Sequence, residues 1–274
     1  MSVMRKDGAP ILNGSAMSRE DLLAAIPRLM DEAPCARIVG VRPAGDPLTF
    51  WREAGETLGQ SAQLLEDSVT GEEVPAAGGW MDVRYEPDRL DTYRHANVGQ
   101  PLHTDGAYGS ILQDIGVFYL ERQAQAGGES LFVEADAVAN YAAEIDPMLL
   151  ARLFDTPVRF GKGKTIGRLT PILREHAGKL RLNWNYFRVL PDQGEGVARL
   201  REDFRLFLED MVEHGPVAAF RLDAGDAMIF RDDQVLHGRK GYAAKASGDR
   251  LLWKTYFISP AQAVANASCP SRAA

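Results

Sequence analysis

The sequence predicts a mainly β protein with flanking helices, a two-sheet barrel or jelly roll. Three observations point there. Short apolar runs recur from residue 80 onward, separated by Gly, Pro and Asp turns. Helical patterns interrupt these runs without alternating regularly with them, which argues against a doubly wound parallel sheet. A hydrophobic content of 45% with 25% charged residues supplies enough apolar material for a substantial core.

Each element follows from local chemistry. In "SREDLLAAIPRLM", Ser18 and Asp21 make a capping-box-like helix start, Leu22, Leu23, Ile26, Leu29 and Met30 share a face, and Pro27 bends or ends the helix. "ARIVGV" reads as a strand. In "DPLTFWREAGETLG", Asp46 and Pro47 occupy N-cap and N1 positions, with Phe50, Trp51, Ala54 and Leu58 on one side. "WMDVRYEP", "IGVFYLER", "ESLFVEA", "TPVRFG", "GKLRLNW", "VAAFRL", "DAMIFR" and "RLLWKTYFIS" then read as short strands. Two helical segments interrupt them, "DAVANYAAEIDPMLLARLF" and "GEGVARLREDFRLFLEDMVEHG". The second carries the stripe Val197, Leu200, Phe204, Phe207, Leu208 and Met211, closed by Gly215 and Pro216. With no internal repeat or low-complexity linker, the expectation is a single domain over 1–274. Residues 1–79 would form a helical and strand portion packed on a core at 80–258, followed by a tail at 259–274.

Composition excludes several classes. A net charge of −7 without a basic run argues against a nucleic-acid surface. No run of about 18 apolar residues is present to span a membrane, and the N-terminus lacks a signal-peptide core. Cys35 and Cys269, far apart, suggest neither a disulfide framework nor a thiolate metal site. The expected setting is cytoplasmic and the expected partner a small molecule, with the oligomeric state open.

The chemistry-bearing residues come from the five histidines. His214 caps a helix end, His176 sits in a hairpin turn, and His95 in "YRHANVG" is ambiguous. His103 and Asp105 in "PLHTDGAY" are spaced i, i+2, which on an extended chain puts both side chains on one face. His237 follows Asp105 by 132 residues, in "RDDQVLHGRKGY". Two imidazoles and one carboxylate on three sites of an octahedron leave three open, the facial triad of non-haem Fe(II) oxygenases.

"PLHTDGAY", "GGESLF", "DAGDAMIFRDDQVLHGRKGY" and "RLLWKTYF" together resemble the taurine-dioxygenase-like (TauD/TfdA) family of Fe(II)/2-oxoglutarate-dependent oxygenases, from about residue 80 to residue 258. The ordered set of H-x-D, Gly-Gly-x-Ser, late His and later Arg is more specific than any member alone. The resemblance implies a double-stranded β-helix, the jelly roll of clavaminate-synthase-like folds. It implies His103, Asp105 and His237 as iron ligands, with 2-oxoglutarate and O2 as cosubstrates. Arg250, thirteen residues after His237, would grip the far carboxylate of 2-oxoglutarate with its planar fork. Ser130, 27 residues after His103, stands where the family commonly has Thr and keeps the hydroxyl. Asp232 and Asp233 are candidates to orient His237, or are solvated turn residues.

The implied activity oxidises a C–H bond of a small polar, amino-acid-like or anionic metabolite, releasing succinate and CO2. Hydroxylation is favoured, with desaturation, epoxidation or cyclisation as alternatives; the retained Asp105 disfavours halogenation. The alternative from another class is a jelly-roll protein that binds metal without turnover. Candidate substrate residues are Lys254, on the face of Arg250 and Leu252, with Asn97, Tyr108 and Arg188. Trp184 and Asn185 also belong to segments that could border the pocket. "GKGKTIGR", residues 161–168, has the composition of a mobile lid but lacks the phosphate-loop spacing, and reads as an ordinary solvated loop.

Overall fold

The computed structural model describes residues 9–62, 64–66, 73–75, 79–109, 112–162 and 167–268. The apolar runs assemble into two principal sheets. The larger has seven strands, in the order Ile11–Asn13, Cys35–Val39, Ala227–Arg231, Ile115–Arg122, Leu251–Ile258 and Gln60–Ser61, with Met81–Arg84 also on Leu251–Ile258. The smaller has four: Ala218–Phe220, Ser130–Glu134, Val235–Arg239 and Gln100–His103. Ile11–Asn13 pairs parallel to Cys35–Val39, while the other pairs in both sheets are antiparallel.

Leu120, Met228, Phe230 and Leu252 of the larger sheet pack with Phe132, Ala218, Phe220 and Val235 of the smaller, so the inner faces close into one apolar layer. This is the expected jelly roll. Outside the larger sheet, Leu22, Ile26 and Trp51 pack with Ile115, Val117, Ile229 and Phe257. Outside the smaller, Leu149, Leu153, Phe204 and Leu208 pack with Leu131, Val133 and Leu236. Ser130–Glu134 is therefore buried along its whole length, which explains the unbroken apolar run in its sequence.

The helices begin where their caps put them. Ser18 accepts from the Asp21 amide at 3.1 Å and starts Arg19–Glu32, whose buried stripe is Leu22, Ile26 and Met30. Pro27 sits inside this helix without ending it. Asp46 caps Pro47–Glu56 through the Leu48 and Thr49 amides.

Two expectations need correction. "DAVANYAAEIDPMLLARLF" forms two helices, Ala135–Ile145 and Pro147–Asp155, because Pro147 has no N–H to continue the ladder and Asp146 caps the second by accepting from Leu149 at 2.9 Å. The tail carries a helix, Pro260–Ser268, held through Asn266, whose side chain accepts from the Leu112 amide at 3.3 Å and donates to the Leu112 carbonyl at 3.1 Å. Cys35 is buried and in no disulfide, and Cys269 lies outside the described residues. Among the described residues no helix is long and apolar enough to cross a membrane.

Candidate active site

His103 and His237 stand directly opposite each other on the antiparallel strands Gln100–His103 and Val235–Arg239. Their ring centroids are 4.4 Å apart. The strands come this close at Gly238, where a Cβ would lie 2.7 Å from the Gln100 carbonyl oxygen. Just past His103 the chain turns, and the turn is pinned at three amides. Thr104 donates to the Trp184 carbonyl at 2.6 Å, and Asp105 and Gly106 donate to the Asp232 carboxylate at 3.2 and 2.9 Å.

This places Asp105 Oδ1 at 3.5 Å from His103 Nε2 and Asp105 Oδ2 at 3.3 Å from His237 Nε2. One ligand atom from each residue falls within a 4.8 Å set. Two imidazole nitrogens and a carboxylate facing one point suit a divalent first-row metal.

The outer ring nitrogens support the same assignment. His103 Nδ1 donates to the Pro101 carbonyl at 2.9 Å, which turns Nε2 inward. His237 Nδ1 faces Asp232 Oδ1 at 3.4 Å. Asp232 is 1% exposed, so it is a built-in orienting group and not a solvated turn residue. Asp233, also buried, pairs with Arg181 at 2.8 Å instead. Burial works against a charge on His237, yet the facing carboxylates of Asp105 and Asp232 raise its pKa to about 9. A position this favourable to a proton is also favourable to a cation. The Asp105 carboxyl is held well below its usual range: burial opposes ionisation, and Lys254 with the two histidines outweighs it.

Leu251–Ile258 supplies two further contacts. Lys254 Nζ lies 3.2 and 3.1 Å from the two Asp105 oxygens, so this side chain points inward. The Tyr256 hydroxyl donates to Asp105 Oδ2. Tyr256 shares its face with Arg250, Leu252 and Lys254, and that parity was the only signal for it in the sequence.

The centre opens into a cavity that is partly open to solvent. Met81, Val83, Phe118, Phe132 and Leu252 line its apolar part, and Ser130, Arg239, Arg250 and Lys254 are among its polar groups. Arg250 is 2% exposed, and among the described residues no carboxylate pairs with it and its Nε has no acceptor. Burial, with Arg239 and Arg221 nearby, pushes its pKa down to about 9. Such a guanidinium is costly unless an anion meets it. Arg239 is a second buried guanidinium, opposite Ser130 in the sheet register and 4.7 Å from the Tyr242 ring centre. Its Nη2 donates to the Ala96 and Val98 carbonyls. Gly128, at φ +76°, brings the turn against Arg250, where a Cβ would lie 3.4 Å from Nε. The donor set suits the far carboxylate of a keto-diacid.

The other sequence candidates are not among the lining residues of this cavity. Asn97 is tied to the scaffold, donating to the Tyr242 carbonyl at 3.2 Å and accepting from the Tyr242 amide at 3.0 Å, and it does not line the cavity. Gly99 and Pro101 break the strand parity that would have aimed it at the metal centre. Tyr108 lies beneath Arg188, 5.1 Å from guanidinium carbon to ring centre. Trp184 is core, and Asn185 accepts from the Phe187 amide. His95 is buried beside the Arg84 carbonyl. Of the glycine- and lysine-rich loop, residues 163–166 lie outside the described residues.

A jelly roll presenting two imidazoles and a carboxylate in the lining of a cavity defines the class of non-haem iron oxygenases. The chain belongs to the taurine catabolism dioxygenase TauD, TfdA family, whose model matches residues 7–256. It is an Fe(II)- and 2-oxoglutarate-dependent dioxygenase. A curated relative, uridine-5'-phosphate dioxygenase from Amycolatopsis sp, is 24% identical over 262 residues, covering 85% of this chain and 91% of its own. Solved structures share the fold. PvcB from Pseudomonas aeruginosa has a TM-score of 0.62 and 17% identity, covering 91% of this chain and 85% of its own. The non-heme iron oxygenase OrfP, solved with Fe, succinate and (3R,4R)-dihydroxy-L-Arg, has a TM-score of 0.66 and 12% identity, covering 96% and 98%.

Proposed function

We propose that the protein hydroxylates a C–H bond of a small polar, amino-acid-like or anionic metabolite. Bound iron(II) and 2-oxoglutarate supply the dioxygen chemistry, coupling decarboxylation of the cosubstrate to oxidation of the substrate. His103, Asp105 and His237 would hold the metal. Arg250, with Ser130 as hydrogen-bond donor, would hold the far carboxylate of 2-oxoglutarate. Asp232, Tyr256 and Lys254 fix the ligands, and Phe118, Phe132 and Leu252 keep that end of the cavity dry.

The observation that carries this reading is the buried Arg250, whose Nε has no acceptor and which no carboxylate meets among the described residues, in the same cavity as the three-ligand centre. A protein that merely held a metal ion would have no use for a buried cation beside it. The relative named for uridine 5'-phosphate and the neighbour solved with a hydroxylated arginine mark two ends of the proposed substrate range. Succinate release under air with Fe(II), 2-oxoglutarate and a metabolite panel tests the proposal. Stimulation by small anions or amino acids with an oxygenated product is expected. Stimulation only by neutral lipids or nucleobases, or a desaturated product, would contradict it.

A further inference from the structure

We infer that Lys162, Arg188 and Lys254 form a subsite for the anionic head of the substrate, and that this head is a phosphate monoester. The inference rests on the proposal that the substrate is a small anion and names its chemistry.

Four observations converge. The Arg188 guanidinium lies over the Tyr108 ring, its Nε is buried without an acceptor, and among the described residues no carboxylate pairs with it. The Gly161 amide donates to the Arg188 carbonyl at 2.8 Å and Phe160 bridges Val189, so the backbone sets Lys162 beside Arg188. Lys254 reaches the same region from the larger sheet through its contact with Asp105, three residues before Tyr108. Finally, Asp105 is the only carboxylate among the cavity's described lining residues.

The charge balance then separates substrate classes. Lys162 is half-buried and its pKa falls to about 8, driven by burial and then by the positive charges of Arg188 and Lys254. Asp105 answers Lys254, while among the described residues no carboxylate pairs with Arg188 and its buried Nε has no acceptor. A free amino acid would bring an ammonium group with no carboxylate to meet it in the cavity, which leaves a desolvated charge unpaid. A phosphate monoester brings about −2 and three acceptor oxygens, matching a guanidinium fork and an ammonium.

The test is calorimetric titration of inorganic phosphate into protein loaded with Mn(II) and 2-oxoglutarate under argon, alongside Arg188→Gln and Lys162→Met. The expected result is saturable binding that weakens about tenfold or more in each variant, the loss of one charge-assisted contact, while 2-oxoglutarate affinity is retained. Retained 2-oxoglutarate binding also shows that the variants fold. Three results would overturn the inference: no saturable phosphate site, binding unchanged in both variants, or binding lost only in Arg250→Ala. An amino acid that drives succinate release while phosphate fails to bind would overturn the phosphate assignment alone and leave the proposed function standing.

Discussion

Asp105 is gripped by Lys254 and the Tyr256 hydroxyl while facing both imidazoles, so its carboxylate has little freedom to rotate away from the metal position. Asp105→Ala removes one of the three proposed ligands and should abolish both divalent-metal binding by calorimetry and succinate release. Asp232→Asn keeps the shape but removes the charge that orients His237. It should weaken metal binding about 10- to 100-fold, the usual cost of losing a carboxylate behind a ligating histidine. Arg250→Ala should leave the metal site intact and chiefly raise the 2-oxoglutarate requirement, by about 100-fold, from the loss of a charge-assisted bidentate contact. An unchanged requirement would move the clamp elsewhere.

At the scale of elements, the active site depends on how closely Val235–Arg239 approaches Gln100–His103. Gly238→Ala puts a methyl 2.7 Å from a backbone oxygen. It should cost about 1–3 kcal/mol by the usual penalty for overpacking, seen as a lower Tm, and should weaken metal binding because His103 and His237 separate. Lys162, on the segment paired with Arg188, gives a pH signature. Phosphate monoesters gain their second charge near pH 6, and Lys162 loses its charge above about 8. Binding should therefore be strongest between these values and fall above pH 8; Lys162→Met should lose the upper limb. These elements were unequally legible. Runs such as "IGVFYLER" and "RLLWKTYF" announced strands by their β-branched and aromatic content. "QPLH" and "VLHGR" were not read as strands, because Pro101, Gly238 and polar side chains dilute the pattern in the two strands that carry the histidines.

For the whole molecule, the jelly roll gathers residues separated by more than a hundred positions onto one cavity wall. The cluster His103, Asp105 and His237 was legible because its order and spacing survive in the sequence: H-x-D, then a histidine before glycine, with an arginine following. Asp232 behind His237, Arg239 opposite Ser130, and Tyr256 on Asp105 were not, since strand register and turn geometry create those contacts and no local pattern encodes them. Pro147 splitting a predicted helix shows the converse, a local rule overriding an apolar periodicity. Arg250 lines the cavity, whereas Lys162 and Arg188 are not among its lining residues, and this difference underlies the proposal of two different anions. A crystal structure with Mn(II) and 2-oxoglutarate, prepared without oxygen, tests the arrangement most directly. The metal should sit between His103, Asp105 and His237, with the far carboxylate of 2-oxoglutarate on Arg250 and Ser130. Metal bound elsewhere, or that carboxylate resting on Lys162 and Arg188, would contradict the account.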